Sequence, residues 1–297
     1  MNLKRILSRS ARGKLMDSLS FLPDTLYIQL FCLATTGRIA NLKNPTLFFE
    51  KQQWLKLHDQ HPEYGELVDK LAVRKHIDAS LGEGHCFPLL GKWKSFDEVD
   101  FDSLPNSFVL KCNHDSGSTK IVRDKTKLTE EDKAAFKKHF ERRLKIDYFF
   151  RGREYPYKGI EPYLIAEKLM TDEANPGKDI EDFKFYCFNG EPKIMLVVTD
   201  RSTDCRFDFF DMEFNHLDIT KNHPQADKAI EKPALFEELK QTAAKLSQGM
   251  RFVRVDLYAI DNKIYFGEYT FFAGGGFTLF HPLEWEKRLG DWIDIES

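Results

Sequence analysis

Two short turn signals, each between runs of residues that favour strands, constrain the fold of this chain more than any other feature. They are Asn189-Gly190, between 183–188 and 193–198, and Asp261-Asn262, between 252–258 and 264–269. Asn, Asp and Gly tolerate the left-handed backbone conformations that tight hairpin turns require. Because a hairpin pairs its strands in opposite directions, the chain is predicted to build mostly antiparallel sheets.

Helical patterns occur on both sides of the first hairpin. Predicted helices cover 45–57, after Asn44 as N-cap, 64–80, 129–146, after Thr129 as N-cap, and 233–249, which ends at Gly249. Two further strands are predicted at 108–112 and 163–169. Helices and antiparallel hairpins in one chain predict an α+β fold.

The first 44 residues have a composition of their own. Basic residues are interleaved with apolar ones at helical spacing: Lys4, Arg5, Arg9, Arg12 and Lys14 with Leu3, Ile6, Leu7 and Leu15. A basic amphipathic helix can lie on an anionic membrane surface or bind a partner. An ordinary helix packed on the domain, with a solvated basic face, is the commoner arrangement, and both alternatives stay open.

Charge and cysteine usage exclude several classes of protein. The 44 basic and 47 acidic residues among 297 give a net charge of −3, so no nucleic-acid partner is expected. Five cysteines without a C-x-x-C motif favour reduced thiols over a disulfide framework. We expect a cytoplasmic protein, because no signal peptide is recognisable and the apolar run 26–36 is shorter than the roughly 20 residues of a membrane span.

Acidic side chains alternate along the second hairpin. A turn centred on Asn262 would pair Asp256 with Glu268 and Arg254 with Thr270. Like charges that face each other in a sheet are destabilising, so a positive group is expected between the two carboxylates. That group is either Mg²⁺ shared with a polyphosphate or the guanidinium of Arg254 itself.

A lysine and a loop of small residues follow the strand 108–112. Lys111 shares a strand face with Val109 and precedes 113–118, which contains His114, Ser116 and Gly117. Backbone N–H groups of such a loop can bind phosphate beside a lysine charge. A polar surface turn next to a strand lysine is the commoner arrangement.

The order of these motifs resembles the ATP-grasp fold, in which two α+β subdomains sandwich the nucleotide. The resemblance implies that Lys70 and Lys111 contact ATP phosphates and that 113–118 covers them. It implies a hinge at Glu167, Lys168 and Leu169 for adenine, with Asp182 at the ribose. Asp256, Glu268 and Thr270 would hold Mg²⁺, and Arg254 would stabilise the reacting oxyanion.

Longer phrases spread over residues 45–290 are more specific. They include "VDKLAVRKHI", "FVLKCNHDSGS", "RGREYPYKGIEPYLIAEKLM", "DFKFYCFNGEPKIM" and "FVRVDLY". These phrases are similar to the TupA-like branch of the ATP-grasp superfamily, which is found in bacterial teichuronopeptide and capsule loci. The resemblance implies ATP-dependent joining of a carboxylate to an amine on a uronic-acid-containing surface polysaccharide or its precursor.

Predicted boundaries follow from the resemblance: a helical N-terminal segment at 1–68 in place of a full preceding domain, a first subdomain at 69–168 and a second at 169–297. The sequence departs from the superfamily pattern in two places. Thr270 replaces the usual Asn, and 273–276 replaces the usual Pro-Gly turn. Lys184 shares a strand face with Asp182, and from that face its side chain could reach phosphate. The alternative is an ordinary exposed strand lysine.

The sequence therefore predicts an amide ligase that works through an acylphosphate, with ATP and Mg²⁺ as cofactors and with an amino acid or other amine as second substrate. Residues 1–44 would give it peripheral contact with the inner face of the cell membrane. Alternatives are a glycosyltransferase with a metal motif at Asp100 and Asp102, a phosphotransferase on the same fold and a non-catalytic nucleotide-binding module.

Overall fold

The computed structural model describes residues 9–172, 180–201 and 203–296. Its helices are α1 (Arg9–Ser18), α2 (Asp24–Thr36), α3 (Phe48–His58), α4 (Glu63–Val68), α5 (Val73–Leu81), α6 (Glu130–Leu144), α7 (Phe236–Leu246) and α8 (Glu284–Asp291). Its strands are β1 (Leu89–Trp93), β2 (Phe108–Cys112), β3 (Lys120–Val122), β4 (Leu164–Lys168), β5 (Asp182–Phe188), β6 (Glu191–Thr199), β7 (Arg206–Phe210), β8 (His216–Leu217), β9 (Phe252–Ile260) and β10 (Lys263–Thr270).

The strands form two separate sheets. One has four strands in the order β1-β4-β2-β3, and the other has six in the order β10-β9-β5-β6-β7-β8. Each pair of neighbouring strands in these two sheets is antiparallel. The predicted α+β class is confirmed, and both predicted hairpins are present.

Each sheet carries its own hydrophobic core. Apolar side chains of β2 and β4 pack against Phe140 of α6 beneath the four-stranded sheet. The larger core of the six-stranded sheet takes residues from α3, α4, α5 and α7, among them Val73 and Ile77 of α5. Residues 73–81, which the predicted boundaries assign to the first subdomain, thus lie on the core of the second sheet.

The first predicted helix begins later than the sequence indicates. The sequence places its first residue at Pro45, whereas α3 begins at Phe48. The carboxylate of Glu50 accepts hydrogen bonds from the backbone N–H groups of Thr46 and Leu47, both at 3.0 Å. The first N–H groups of a helix have no partner inside it. Here Glu50 accepts the N–H groups of Thr46 and Leu47, and this bonding stabilises the extended chain before Phe48.

The helix predicted at 64–80 is wrong as a single element, because it is broken between α4 and α5. Asp69 adopts an extended backbone conformation after α4. The side-chain oxygen of Asp69 accepts hydrogen bonds from Leu71 N at 2.8 Å and from Asn113 Nδ2 at 2.9 Å. The backbone N–H of Lys70 donates to Asn113 O at 3.2 Å. These long-range bonds outweigh local helix propensity and bring Lys70 to the loop at 113–118.

The predictions for the two later helices agree with the structure to different degrees. Thr129 caps α6 in a reciprocal pair with Asp132, as a capping residue does, so that prediction is confirmed. The helix predicted at 233–249 is shorter at both ends, since α7 covers Phe236–Leu246.

The two N-terminal helices pack on the domain. Tyr27, Ile28 and Phe31 of α2 are buried together with Phe49 and Phe277. The arrangement supports the packed-helix alternative for the part of the segment that the structure describes, and residues 1–8 of the predicted amphipathic helix lie outside it. Within the described ranges, no helix is long and apolar enough to cross a membrane.

Candidate functional site

The carboxylate hairpin has the predicted pairing. Glu268 of β10 lies opposite Asp256 of β9, and Thr270 lies opposite Arg254. Arg254 Nε donates to Asp256 Oδ1 at 2.6 Å, and Arg254 Nη2 donates to Asp256 Oδ2 at 2.7 Å and to Thr270 Oγ1 at 2.9 Å. The same Nη2 lies 3.5 Å from Glu268 Oε1. One guanidinium therefore sits between both carboxylates and the hydroxyl.

The reason for this pairing differs from the prediction. The turn is centred between Asp261 and Asn262, so that Phe266 pairs with Leu257. An irregularity at Gly267 then shifts the register by one residue before Glu268. Without that bulge a regular ladder would put Glu268 on the face opposite to Asp256.

A second set of charges adjoins Asp256 on the neighbouring strand β5. Lys184 donates to Asp256 Oδ2 and lies 2.7 Å from Asp182 Oδ2, which Arg201 Nη1 also contacts at 3.0 Å. Asp182 and Asp256 are each 1% exposed. A buried ammonium shared between two carboxylates excludes the prediction that Lys184 is an ordinary exposed lysine.

Burial and charge act in opposite directions on these carboxyl groups. Burial alone would raise the pKa of Asp256, but Arg254 and Lys184 outweigh it and lower that pKa. At Asp182 burial dominates over Lys184 and Arg201, and the pKa is raised. Asp256 is therefore held ionised, whereas Asp182 Oδ1 has no hydrogen-bond partner among the described residues.

The four-stranded sheet contributes a buried ion pair. Lys111 Nζ lies 2.5 Å from Glu167 Oε2, and Arg74 Nη1 lies 3.6 Å from Glu167 Oε1. Glu167 is 5% exposed. The pair holds the Lys111 ammonium in place on β2, facing the six-stranded sheet across a cavity described below.

The loop at 113–118 is fixed by buried side chains at both ends. Arg143 of α6 binds the carboxylate of Asp115, and Ser118 Oγ donates to Asp115 Oδ1 at 2.6 Å. Lys70 Nζ donates to Asp115 O at 2.6 Å, and burial lowers the pKa of Lys70. Only the tip, Ser116-Gly117, is exposed within 113–118.

Two cavities meet at this site. The cleft cavity, of about 630 Å³, lies between the two sheets and is lined by Lys70, Lys111, Ser116, Gly117, Glu167, Lys168, Leu169, Asp182, Lys184, Asp256 and Glu268, among others. The N-terminal cavity, of about 440 Å³, is lined by α1, α2, the segment 143–157 and the glycine-rich turn 273–277. Ser116, Lys184, Arg201 and Glu268 line both cavities.

The structure places three predicted site residues elsewhere. Arg254 and Thr270 line the N-terminal cavity rather than the cleft cavity. His114 lines neither; it is 2% exposed, faces a separate cavity beside Leu144, and burial lowers its pKa. The backbone N–H of Tyr163 donates to Asn113 Oδ1 at 2.7 Å, so the Asn113 side chain lies inside the fold, and His114 is buried beside it.

Arg201, which no sequence motif singled out, lies where the two cavities join. The signal was present in the first hairpin, since its register pairs Asp182 with Val198 and brings the following turn to Asp182. The Asp100 and Asp102 motif, in contrast, lies in an exposed turn in which Asp100 Oδ1 accepts the N–H of Asp102 at 3.0 Å. Neither aspartate lines the two cavities.

The donor set suits Mg²⁺ that is shared with a polyphosphate. Among the described residues, no three His, Cys, Asp or Glu side chains are grouped as a complete metal site. Mg²⁺ bound to a nucleotide needs only one or two carboxylates, because phosphate and water complete its shell. Asp256 and Glu268 are the carboxylates that could supply such oxygens; those of Asp256 bind Arg254 and Lys184, and Glu268 keeps 38% of its side chain exposed.

The chain matches a protein-family model over most of its length. The family described as TupA-like ATPgrasp matches residues 50–294. None of the curated proteins compared with the chain matches it.

Solved structures with a related fold include D-alanine–D-alanine ligase from Bacillus anthracis, at 18% identity over 76% of this chain and 65% of that chain, with a TM-score of 0.44. The ATP-grasp ligase PsnB, complexed with a minimal precursor, has 12% identity over 79% and 61% of the two chains and a TM-score of 0.41. D-alanine–D-alanine ligase from Helicobacter pylori has 14% identity over 83% and 69%, with a TM-score of 0.39. The chain thus spans less than two thirds of the length of the first two proteins.

Proposed function

Because this chain belongs to the TupA-like ATP-grasp family, we propose that it is an ATP-dependent ligase that joins a carboxylate to an amine. One observation carries the proposal: lysines of the four-stranded side and carboxylates of the six-stranded sheet line one cavity, and a second cavity opens at Glu268. The first cavity suits a nucleotide and the second suits the substrates that react with it.

Each charged group that lines the cleft cavity has a proposed role in binding ATP. Lys70 and Lys111 would neutralise the phosphates of ATP, with Lys111 oriented by Glu167. The hinge Lys168-Leu169 would hold adenine through its backbone. Asp182 Oδ1, which has no hydrogen-bond partner among the described residues, would accept a ribose hydroxyl. Asp256 and Glu268 would hold Mg²⁺, which supplies charge neutralisation at the transferring phosphoryl group.

In the first step a substrate carboxylate oxygen attacks the γ-phosphorus, the bond to the β-phosphate oxygen breaks and ADP leaves. In the second step an amine nitrogen attacks the acyl carbon, the bond to the phosphate oxygen breaks and inorganic phosphate leaves. Arg254 lies between Asp256 and Thr270 and lines the N-terminal cavity, so its guanidinium would stabilise the oxyanion of the tetrahedral intermediate.

We propose as substrates a uronic-acid carboxylate of a bacterial surface polysaccharide or its precursor and an amino acid or other amine. We place the reaction in the cytoplasm, with residues 1–44 at the inner face of the membrane. We also propose subdomains at 69–168 and 169–297. Helix α5 belongs to the first by sequence but packs on the core of the six-stranded sheet in the second.

Calorimetric titration with AMPPNP, a non-hydrolysable ATP analogue, tests the nucleotide site without knowledge of the other substrates. We expect binding that depends on Mg²⁺ and weakens at least about tenfold in Lys111→Ala, because a charge-assisted phosphate contact is lost. UDP-glucose is titrated beside it. Binding of UDP-glucose without AMPPNP binding would reject the ligase and favour a glycosyltransferase.

A further inference from the structure

One acidic side chain in the N-terminal cavity has no part in the reaction described above. Glu154 lies in the segment between α6 and β4 and lines the cavity together with Tyr157, Arg254 and Thr270. Its residue is 7% exposed, so the carboxylate reaches solvent only through the cavity. A carboxylate in such a position needs a partner, since burial of an unpaired charge is costly.

Within the described part of the chain, no hydrogen bond or ion pair reaches the carboxylate of Glu154. Two glycines leave space beside it: a Cβ on Gly152 would lie 2.6 Å from Glu154 Oε1, and one on Gly275 would lie 3.7 Å away. A side chain at 152 would therefore force the carboxylate to move. Gly152 and Gly275 thus leave space around the Glu154 carboxylate, which stays accessible as a hydrogen-bond acceptor at the cavity wall.

The buried cation that acts on the charge of Glu154, Lys56, donates its hydrogen bonds to other groups. Lys56 is 1% exposed, and its ammonium donates to Gln53 Oε1 at 2.8 Å and to Gly275 O at 2.5 Å. Burial raises the pKa of Glu154 to about 7, and Lys56 opposes that rise. The phenols of Tyr27, Tyr148 and Tyr157 also face this charge, and their pKa values are raised, first by burial.

We propose that Glu154 binds the ammonium group of the amine substrate, which makes the N-terminal cavity a site for a primary amine. A primary ammonium has the charge and the donors that an open buried carboxylate requires. Arg254 at the other wall carries the opposite charge, so the cavity orients a molecule by its cationic group. The inference rests on the proposed ligase function.

The same contact prepares the amine for reaction. An ammonium has no lone pair, so one proton must leave nitrogen before attack on the acyl carbon. Glu154 accepts this proton and becomes a neutral carboxylic acid, and the amine lone pair then forms the C–N bond as the C–O bond to phosphate breaks. The second proton that nitrogen loses to become an amide goes to the departing phosphate, which leaves as hydrogen phosphate. After the product leaves, Glu154 returns the proton to solvent.

Nuclear magnetic resonance of the full chain, labelled with ¹³C at glutamate carboxyls and saturated with Mg²⁺ and AMPPNP, tests the assignment. The probe is n-propylammonium, and n-propanol is its neutral control of similar shape. We expect one carboxyl resonance, absent from Glu154→Gln, to shift saturably with propylammonium and not with propanol. Affinity for propylammonium is expected to fall at least about tenfold in Glu154→Gln.

Controls separate this inference from the ligase proposal. Glu161→Gln changes an exposed carboxylate that pairs with Lys94 and is expected to leave both AMPPNP and propylammonium binding unchanged. Glu154 does not line the cleft cavity, so AMPPNP affinity is expected to be retained in Glu154→Gln. If the native chain does not bind AMPPNP, the ligase proposal is rejected, whether or not propylammonium binds.

The inference is overturned if propylammonium and propanol perturb the carboxyl resonances equally, or if propylammonium binds Glu154→Gln as tightly as the native chain. Should Glu154→Gln fail to fold, Glu154→Asp keeps the charge but withdraws it by one methylene. Weaker propylammonium binding in Glu154→Asp supports the contact, and unchanged binding contradicts it.

Discussion

At the scale of single residues, the site depends on buried carboxylates, each paired with a buried or half-buried cation. Arg254 and Lys184 hold Asp256 ionised in a place where burial would favour the neutral acid. Glu167 positions Lys111 in the same way on the other sheet. Such pairs are costly to break, because the remaining charge loses its partner.

Glu268 is one of the four described residues that line both cavities, and its replacement tests the proposed metal assignment. We expect Glu268→Gln to lower ADP release at least about 100-fold, because a carboxylate that holds Mg²⁺ is lost. Its side chain is 38% exposed, so the free energy of unfolding should change by less than about 1 kcal/mol. Glu191→Gln, at an exposed strand end, is the control. Retained turnover in Glu268→Gln would contradict the assignment.

Lys111 has a structural and a functional role that a double variant separates. Lys111→Met leaves Glu167 with Arg74 at 3.6 Å, and we expect a loss of about 2 kcal/mol in the free energy of unfolding. Adding Glu167→Gln should restore most of this stability, since no buried charge remains unpaired. AMPPNP binding should stay weak in both variants. Recovery of binding in the double variant would show that Lys111 acts only on Glu167.

At the scale of elements, two interruptions of regular structure build the site. The break between α4 and α5 carries Lys70 to the loop at 113–118. The bulge in β10 turns Glu268 towards Asp256. Neither interruption follows from local propensity, and each places one charged side chain in the cleft cavity.

The bulge requires a residue without a Cβ. A Cβ on Gly267 would lie 2.8 Å from Tyr258 Cε2 and 3.1 Å from Asp256 O. We expect Gly267→Ala to lower the free energy of unfolding by about 1–3 kcal/mol and to weaken AMPPNP binding. Gly65→Ala, whose nearest neighbour would be at 3.5 Å, is the control. Unchanged stability and binding in Gly267→Ala would show that the strands adjust without displacing Glu268.

Helix α2 presents an apolar stripe that supports the proposed membrane contact. Leu26, Leu30 and Leu33 are 48%, 43% and 48% exposed, and the preceding segment carries Lys4, Arg5, Arg9, Arg12 and Lys14. We expect Ser at all three leucine positions to reduce co-sedimentation of the protein with phosphatidylglycerol vesicles at least about fivefold. Ser at Leu89, Leu90 and Leu283, which are similarly exposed, should not. Equal sedimentation of both triple variants would reject the contact.

At the scale of the whole molecule, the site is divided between two sheets with separate cores. A nucleotide in the cleft cavity would touch β2 and β4 of one sheet and β5, β9 and β10 of the other. A ligand that binds both units stabilises them together, and the stabilisation grows with the logarithm of the ligand concentration above its Kd.

Hydrogen exchange measures this linkage. We expect AMPPNP with Mg²⁺ to slow amide exchange in β2 and β4 and in β9 and β10, and EDTA to reverse most of the protection. UDP-glucose is the control ligand and should protect neither sheet. Protection confined to one sheet would contradict a nucleotide site between them.

The sequence by itself determined the α+β class, both hairpins, the cap of α6 and the pairing of Asp256 with Glu268, and its longer motifs indicated the family. These features depend on residues close together in the chain, where turn geometry, alternation and capping act directly. Even so, the predicted turn implied a strand register one residue away from the real one next to the turn, and the bulge at Gly267 compensated for the difference.

Only the tertiary structure decided which of these residues share a cavity. It brought Arg201 to Asp182, separated Arg254 and Thr270 from the cleft cavity and turned His114 away. It also left the carboxylate of Glu154 without a hydrogen-bond or ion-pair partner among the residues that the structure describes. Such outcomes depend on contacts between residues that are far apart in sequence, and neither propensity nor spacing carries them. The physical reason is that the partners and the ionisation of a buried charged group depend on the elements packed around it and not on its neighbours in the chain.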